Sequence, residues 1–204
     1  MMHFKKLLMV KNLTSGLLLM IPVIGMVLLT GLGIDHHSAW AYQRVAINDG
    51  EYWRLFSAHF VHLNAWHLLF NTVAGIILYL VTCFVVSPIQ WVSATLSCMV
   101  GVSVGLWLFS PEVIWYVGLS GVLHGLMVII AWQYWSREPV LTSIGLLGLV
   151  AKLSGEQFRN IPNAVFWLDH PIIVDAHLYG ACSGVIYSMG WAVFANVQRR
   201  LNNI

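Results

Sequence analysis

The stretch Gly118-Leu119-Ser120-Gly121-Val122-Leu123-His124-Gly125 sets a hydroxyl and an imidazole among small residues, at the head of an apolar run that ends near Trp135. A serine hydroxyl is a weak nucleophile until a neighbouring base takes its proton. A second stretch, Ala176-His177-Leu178-Tyr179-Gly180-Ala181-Cys182-Ser183-Gly184, begins with a histidine that could be that base. On a helix, Ser120 and His124 share one face, with Gly121 and Gly125 on an adjacent one. The second stretch also carries small residues at four-residue spacing, and small-xxx-small on both partners is how membrane helices bring their backbones together. Such a contact sets His177 beside Ser120.

Acyl chemistry also needs donors for a developing oxyanion. His59, His62, His67 and Asn71 lie upstream, and His67 and Asn71, four apart, share a helix face. An imidazole and a carboxamide there would supplement the Ser120 N–H at the start of its helix. The plainer alternative is that each of these groups caps or bridges helices. Against it stands the cost of polar groups inside a membrane, which makes several at one depth a functional signal.

That membrane follows from composition. Hydrophobic residues make up 59% of the 204, charged residues only 9%, and mean hydropathy is +0.77. These values exclude a soluble domain and describe an all-α polytopic membrane protein. The chain reads as a single membrane domain, 1–204, with room for about six spans of roughly 20 residues each. The expected spans are 14–33, 62–86, 89–109, 120–135, 140–157 and 174–196. The first is too long for a cleaved signal sequence and reads as a retained helix. Residues 34–60 form a polar, aromatic loop with room for short surface helices. Cys83, Cys98 and Cys182 all fall in apolar runs and read as packing residues. A formal charge of +2 gives no case for nucleic acid.

With six spans and an inside amino terminus, Lys5, Lys6, Lys11, Arg137, Arg199 and Arg200 all become cytoplasmic, which places both termini there. Counting inward at about 1.5 Å per residue puts Ser120 roughly 25 Å, Asn71 roughly 24 Å and His177 roughly 28 Å above the inner boundary. Three polar residues from three spans converge on one level, near the outer side of a core about 30 Å thick.

Trp53-Arg54, His62-x4-His67-x3-Asn71, Gly118-x-Ser120-Gly121 and Ala176-His177-x2-Gly180-x3-Gly184 together resemble the motifs of the rhomboid intramembrane serine proteases, over about Glu51 to Asn196. The resemblance implies a six-transmembrane-helix bundle in which Ser120 is the nucleophile and His177 the base, with no third, acidic member. It implies an oxyanion hole of Asn71, His67 and the Ser120 amide, supported by Gly118, Gly121, Gly180 and Gly184, and neither metal nor other cofactor. The small size, His124, and Lys152 with Glu156 are most similar to the rhombosortase branch. That branch implies a bacterial inner membrane and single-span substrates bearing a carboxy-terminal Gly-Gly sorting tail. A general rhomboid protease, or a non-catalytic chaperone on the same fold, is the alternative.

Where His124 stands, rhomboids often carry an aromatic residue packed on the catalytic histidine. An imidazole can fill that place by stacking or hydrogen-bonding, and a proton-shuttling role is the other reading. Lys152 and Glu156 are one helical turn apart, roughly 18 and 24 Å above the inner boundary, so Glu156 is level with Ser120. They read either as an i,i+4 ion pair worth a few tenths of a kcal/mol or as a group that recognises substrate. Nine histidines also raise a metal-dependent membrane oxidase, but no second cluster of matching spacing and no His-Glu-x-x-His occurs.

Overall fold

The computed structural model describes residues 37–83, 85–158 and 172–202. The expected span at 14–33, and the polar stretch holding Arg159, Asp169 and His170, lie outside the described residues.

In hydrocarbon every backbone N–H and C=O must be satisfied within its own segment, so the apolar runs become helices. Between His37 and Ala65 the chain is more polar and broken. It forms α1 (His37–Trp40), β1 (Tyr42–Gln43), α2 (Arg44–Asn48) and α3 (Arg54–Ser57). Then come α4 (Ala65–Thr82), α5 (Pro88–Phe109), β2 (Trp115–Tyr116), α6 (Ser120–Tyr134), α7 (Pro139–Phe158) and α8 (Val174–Leu201). Among the described residues, α4, α5 and α8 are long and apolar enough to cross a bilayer, whereas α6 is a shorter apolar helix.

Local chemistry sets the boundaries. The expected start at His62 moves to Ala65 because the Asn64 side chain accepts the His67 N–H and caps the helix. Ser87 caps α5 in the same way, with Pro88 just inside, where its missing N–H costs nothing. Helix α8 runs past the expected Asn196 to Leu201, and Arg199 and Arg200 in its last turn complement the negative end of the dipole.

Helix α8 packs along α6 and α5 at the centre. One core joins Tyr79, Trp91, Cys98, Met99, Val122, Leu126 and Ile129 from α4, α5 and α6. A second, under the amino-terminal loop, joins Tyr42, Ile47, Val102, Leu106, Tyr116 and Ala176. The outward faces carry Phe70, Ile77, Leu80, Leu108, Ile186 and Val193, all exposed. A bundle whose largest exposed side chains are apolar is built for lipid rather than water.

The loop before α4 closes over one end of the bundle. The Arg44 guanidinium donates to four carbonyls at and just beyond the end of α5: Leu106 and Ser110 at 2.7 Å, Trp107 at 2.9 Å and Val113 at 3.2 Å. A helix C-terminus leaves just such carbonyls without partners, and a cation there also meets the dipole. Arg54 ties the loop to itself through Glu51 and the Ala41 carbonyl.

Candidate active site

The nucleophile candidate is placed by the segment before it. Strands β1 and β2 pair antiparallel, Tyr42 opposite Tyr116, and so hold the approach to α6 against the loop. The Gly118 N–H then donates to the Ala58 carbonyl at 2.9 Å, and the Tyr116 hydroxyl donates to the Gly118 carbonyl at 2.6 Å. Burial pushes the Tyr116 phenol up from its ordinary range, which keeps it a donor. Gly118 has φ +119°, a conformation side chains rarely adopt, and a Cβ there would run into the His67 ring. Two residues later α6 begins with no side-chain cap, so Ser120 opens a helix whose first N–H groups point out without side-chain partners.

The base candidate is placed by glycine contacts. A Cβ at Gly121 would meet the Ala176 carbonyl oxygen, one at Gly180 the Gly121 oxygen, one at Gly125 the Gly180 oxygen, and one at Gly184 the Gly125 oxygen. The two helices therefore touch backbone to backbone over two turns. At the head of α8, Asp175 and Tyr179 are held by the Ser110 hydroxyl at 2.5 and 2.8 Å, between them in sequence lies His177. His177 Nε2 sits 3.0 Å from Ser120 Oγ.

His177 has two further neighbours. The His124 ring stacks on it, centroids 4.2 Å apart and planes 17° from parallel, while His124 Nδ1 donates to the Ser120 carbonyl at 2.7 Å. On the other ring nitrogen, His177 Nδ1 lies 3.0 Å from Glu156 Oε2. The resemblance implies a base with no acidic partner; here a carboxylate occupies that place. The expected ion pair also forms, Lys152 Nζ to Glu156 Oε1 at 2.6 Å, so Glu156 divides its two oxygens between a lysine and the histidine.

A cavity of about 290 Å³ opens at this point, lined by Ser120, His177, His124, Lys152 and Glu156 on one side and by His67, Phe70 and Asn71 on the other. Asn71 is 5% exposed, and its Nδ2 has no hydrogen-bond partner. A buried amide N–H₂ left without a partner is costly, and Asn71 lines the same cavity as Ser120. His67 Nδ1 accepts the Leu63 N–H at 3.4 Å, which leaves Nε2 as the protonated nitrogen.

His124, Glu156 and His177 each offer a ligand atom within 4.8 Å of the others. Stacked, nearly parallel imidazoles direct their in-plane lone pairs alongside one another rather than toward a common point. The proximity is accounted for by the stack and the hydrogen bonds. The upstream histidines are dispersed: His59 is fully buried, with Nε2 3.0 Å from both the Met99 carbonyl and Ser103 Oγ, and the His62 ring meets His67 edge-on.

Sequence reasoning missed the pairing of Glu156 with His177, although the equal depth of Glu156 and Ser120 was a usable signal for it. The role of Arg44 carried no such signal, since its partners are backbone carbonyls more than sixty residues away. Compared with protein families, residues 49–195 match the rhomboid domain. No curated protein matches the chain.

Proposed function

The chain belongs to the rhomboid family, generally intramembrane serine proteases, and from that premise we propose that it cleaves single-span membrane proteins through Ser120 and His177. The observation that carries this reading is the 3.0 Å approach of His177 Nε2 to Ser120 Oγ beside the unpaired Asn71 donor. His177 removes the hydroxyl proton as Oγ attacks the scissile carbonyl, and the C=O π pair moves onto oxygen. The oxyanion is received by Asn71 Nδ2, His67 Nε2 and the Ser120 N–H. Collapse returns the pair, breaks the C–N bond and sends the proton from His177 to the leaving amine, leaving an acyl-enzyme on Ser120.

On this reading the bundle has six spans, lies in a bacterial inner membrane with both termini in the cytoplasm, and opens its cavity toward the outer side. The substrate is a helix with a Gly-Gly pair in a carboxy-terminal sorting tail. A transmembrane helix hides its peptide bonds in hydrogen-bonded turns, and glycine lowers the cost of unwinding by about 1 kcal/mol per residue relative to alanine. The acyl-enzyme is resolved by water or by an amine. Mass spectrometry of the new carboxy terminus of a co-expressed Gly-Gly substrate tests the reading: cleavage next to the glycines is expected, lost in both Ser120→Ala and His177→Ala. Cleavage by Ser120→Ala retires the protease reading, whereas cleavage equally good without glycines retires only the tail specificity.

A further inference from the structure

We infer that Glu156 is a positioning residue for His177, making the site a serine–histidine–glutamate line rather than a dyad. This rests on the protease reading above and deepens it.

Three observations carry the inference. The first is collinearity of function: His177 presents Nε2 to Ser120 Oγ and Nδ1 to Glu156 Oε2, both at 3.0 Å. Imidazole can accept a proton at Nε2 only in the tautomer that carries its hydrogen on Nδ1, and a carboxylate at Nδ1 selects that tautomer. Carboxylates accept and do not donate while ionised, so the opposite tautomer would leave Nδ1 and Oε2 facing each other lone pair to lone pair.

The second is how the carboxylate is kept ionised. Glu156 comes from α7, where a half-buried carboxylate needs charged or donating partners to offset its lost hydration. Lys152, one turn earlier, holds Oε1 at 2.6 Å and has its own side chain 46% exposed. The lysine thus stabilises the anion through Oε1 while Oε2 faces the buried histidine. The third is that the His124 contact does not choose the ring edge, since a half-turn about Cβ–Cγ would keep the stack while exchanging the edges. His124 only stacks on its face. Without Glu156, nothing among the described residues holds the Nδ1 edge.

When Ser120 Oγ attacks, its proton goes to Nε2 and the ring becomes imidazolium, still donating Nδ1–H to Oε2. The proton at Nε2 later leaves with the amine. The carboxylate is never protonated; it orients the ring and offsets the transient positive charge. Among the described residues, charged and titratable groups around His177 include Glu156 and Lys152 from α7, His124 from α6, His67 from α4 and Asp175 on its own helix. Of these, Asp175 is turned to Ser110, and His124 and His67 are imidazoles that offer no negative charge.

Removing an orienting carboxylate from such an arrangement in other serine enzymes costs roughly 10⁴ in kcat. Glu156 is partly exposed, so water can stand in at Nδ1, and we expect Glu156→Gln to lose about a hundredfold in kcat with KM within twofold. Its rate of labelling by a fluorophosphonate falls in parallel, because the probe reports Ser120 activation and makes no use of substrate recognition. Glu156→Asp, which keeps the charge but sets it farther away, recovers part of the loss. The thermal midpoint of the purified protein stays at the wild-type value in both. A KM that rises while kcat and labelling hold would make Glu156 a recognition residue, and a fall in labelling only in step with the thermal midpoint would make it structural. Either overturns the inference, as does wild-type kcat in Glu156→Gln. Failure of the protease reading shows elsewhere, as cleavage or labelling that survives Ser120→Ala.

Discussion

Helices α8 and α7 both reach His177, but they are held in opposite ways. Along α8, Gly180 and Gly184 lie so close to α6 that a single added carbon would overlap backbone oxygen. Along α7, Gly145, Gly148 and Gly155 have nothing within 4 Å of where a Cβ would be, and only Thr142 and Leu153 are buried. Ser120 and His177 are therefore borne on two elements whose backbones interlock, while Glu156 is borne on a helix with few buried side chains. Reaction geometry tolerates little error at the attacking atom, where a misplacement of about 1 Å can cost a hundredfold. An orienting group one bond further back tolerates more. The loosely packed α7 also borders the cavity, through Lys152 and Glu156.

The sharpest way to break this contrast is to add one methyl group to the tight side. Gly180→Ala forces a carbon into the Gly121 carbonyl, which neither rotamer change nor side-chain motion can relieve. We expect a loss of about 3 kcal/mol in stability and no detectable processing, although Gly180 would touch no substrate. A wild-type thermal midpoint and wild-type processing would show that the helices are farther apart than described.

Next in size is a change at the cavity wall that leaves packing alone. Asn71→Ala removes the unpaired donor, and removal of one oxyanion donor costs about a hundred- to a thousandfold in rate. On the proposed mechanism His67 and the Ser120 amide remain as donors, so the lower end is expected, as slow cleavage with unchanged stability. A rate equal to wild type on the same substrate would make Asn71 a packing residue. Smaller again is His124→Phe, which preserves a flat ring against His177 and loses the hydrogen bond to the Ser120 carbonyl. Cleavage within about tenfold of wild type is expected, since a neutral hydrogen bond nets about 1 kcal/mol. Complete loss would mean that His124 moves a proton.

What could be read without coordinates follows the same division. The helices of the bundle were legible because apolar runs of fixed length have few alternatives in lipid, and the approach of Ser120 to His177 was legible because glycine spacing on two runs encodes a backbone contact. The depth count even brought Glu156 level with Ser120. What it could not supply is azimuth: rise along a helix is fixed at about 1.5 Å per residue, but which way α7 faces depends on packing that its sparse contacts leave unmarked. The sequence points to Glu156 as the partner of Lys152 or as a group that recognises substrate; the ion pair forms, and its second oxygen reaches His177, which the depth count does not show. Arg44, whose four acceptors are carbonyls that any sequence would provide, had no sequence partner to reveal it.

The smallest effect tests the loose side. At Gly148 a Cβ meets nothing within 4 Å, so Gly148→Ala gains helix propensity without steric cost. The expected gain is up to about 1 kcal/mol, read as a small rise in thermal midpoint, the opposite sign to Gly180→Ala for the same added methyl. Gly148 lies two turns below Glu156, and the rise per turn is unchanged by the substitution, so the Glu156–His177 contact should persist and fluorophosphonate labelling should stay at the wild-type rate. Processing of a full-length substrate is the more revealing measurement. If α7 must bend or move aside to admit a helix, stiffening it slows substrate processing while labelling by the small probe is untouched. If α7 serves only to carry Glu156, both rates remain equal to wild type, and its loose packing reflects lipid solvation rather than substrate entry.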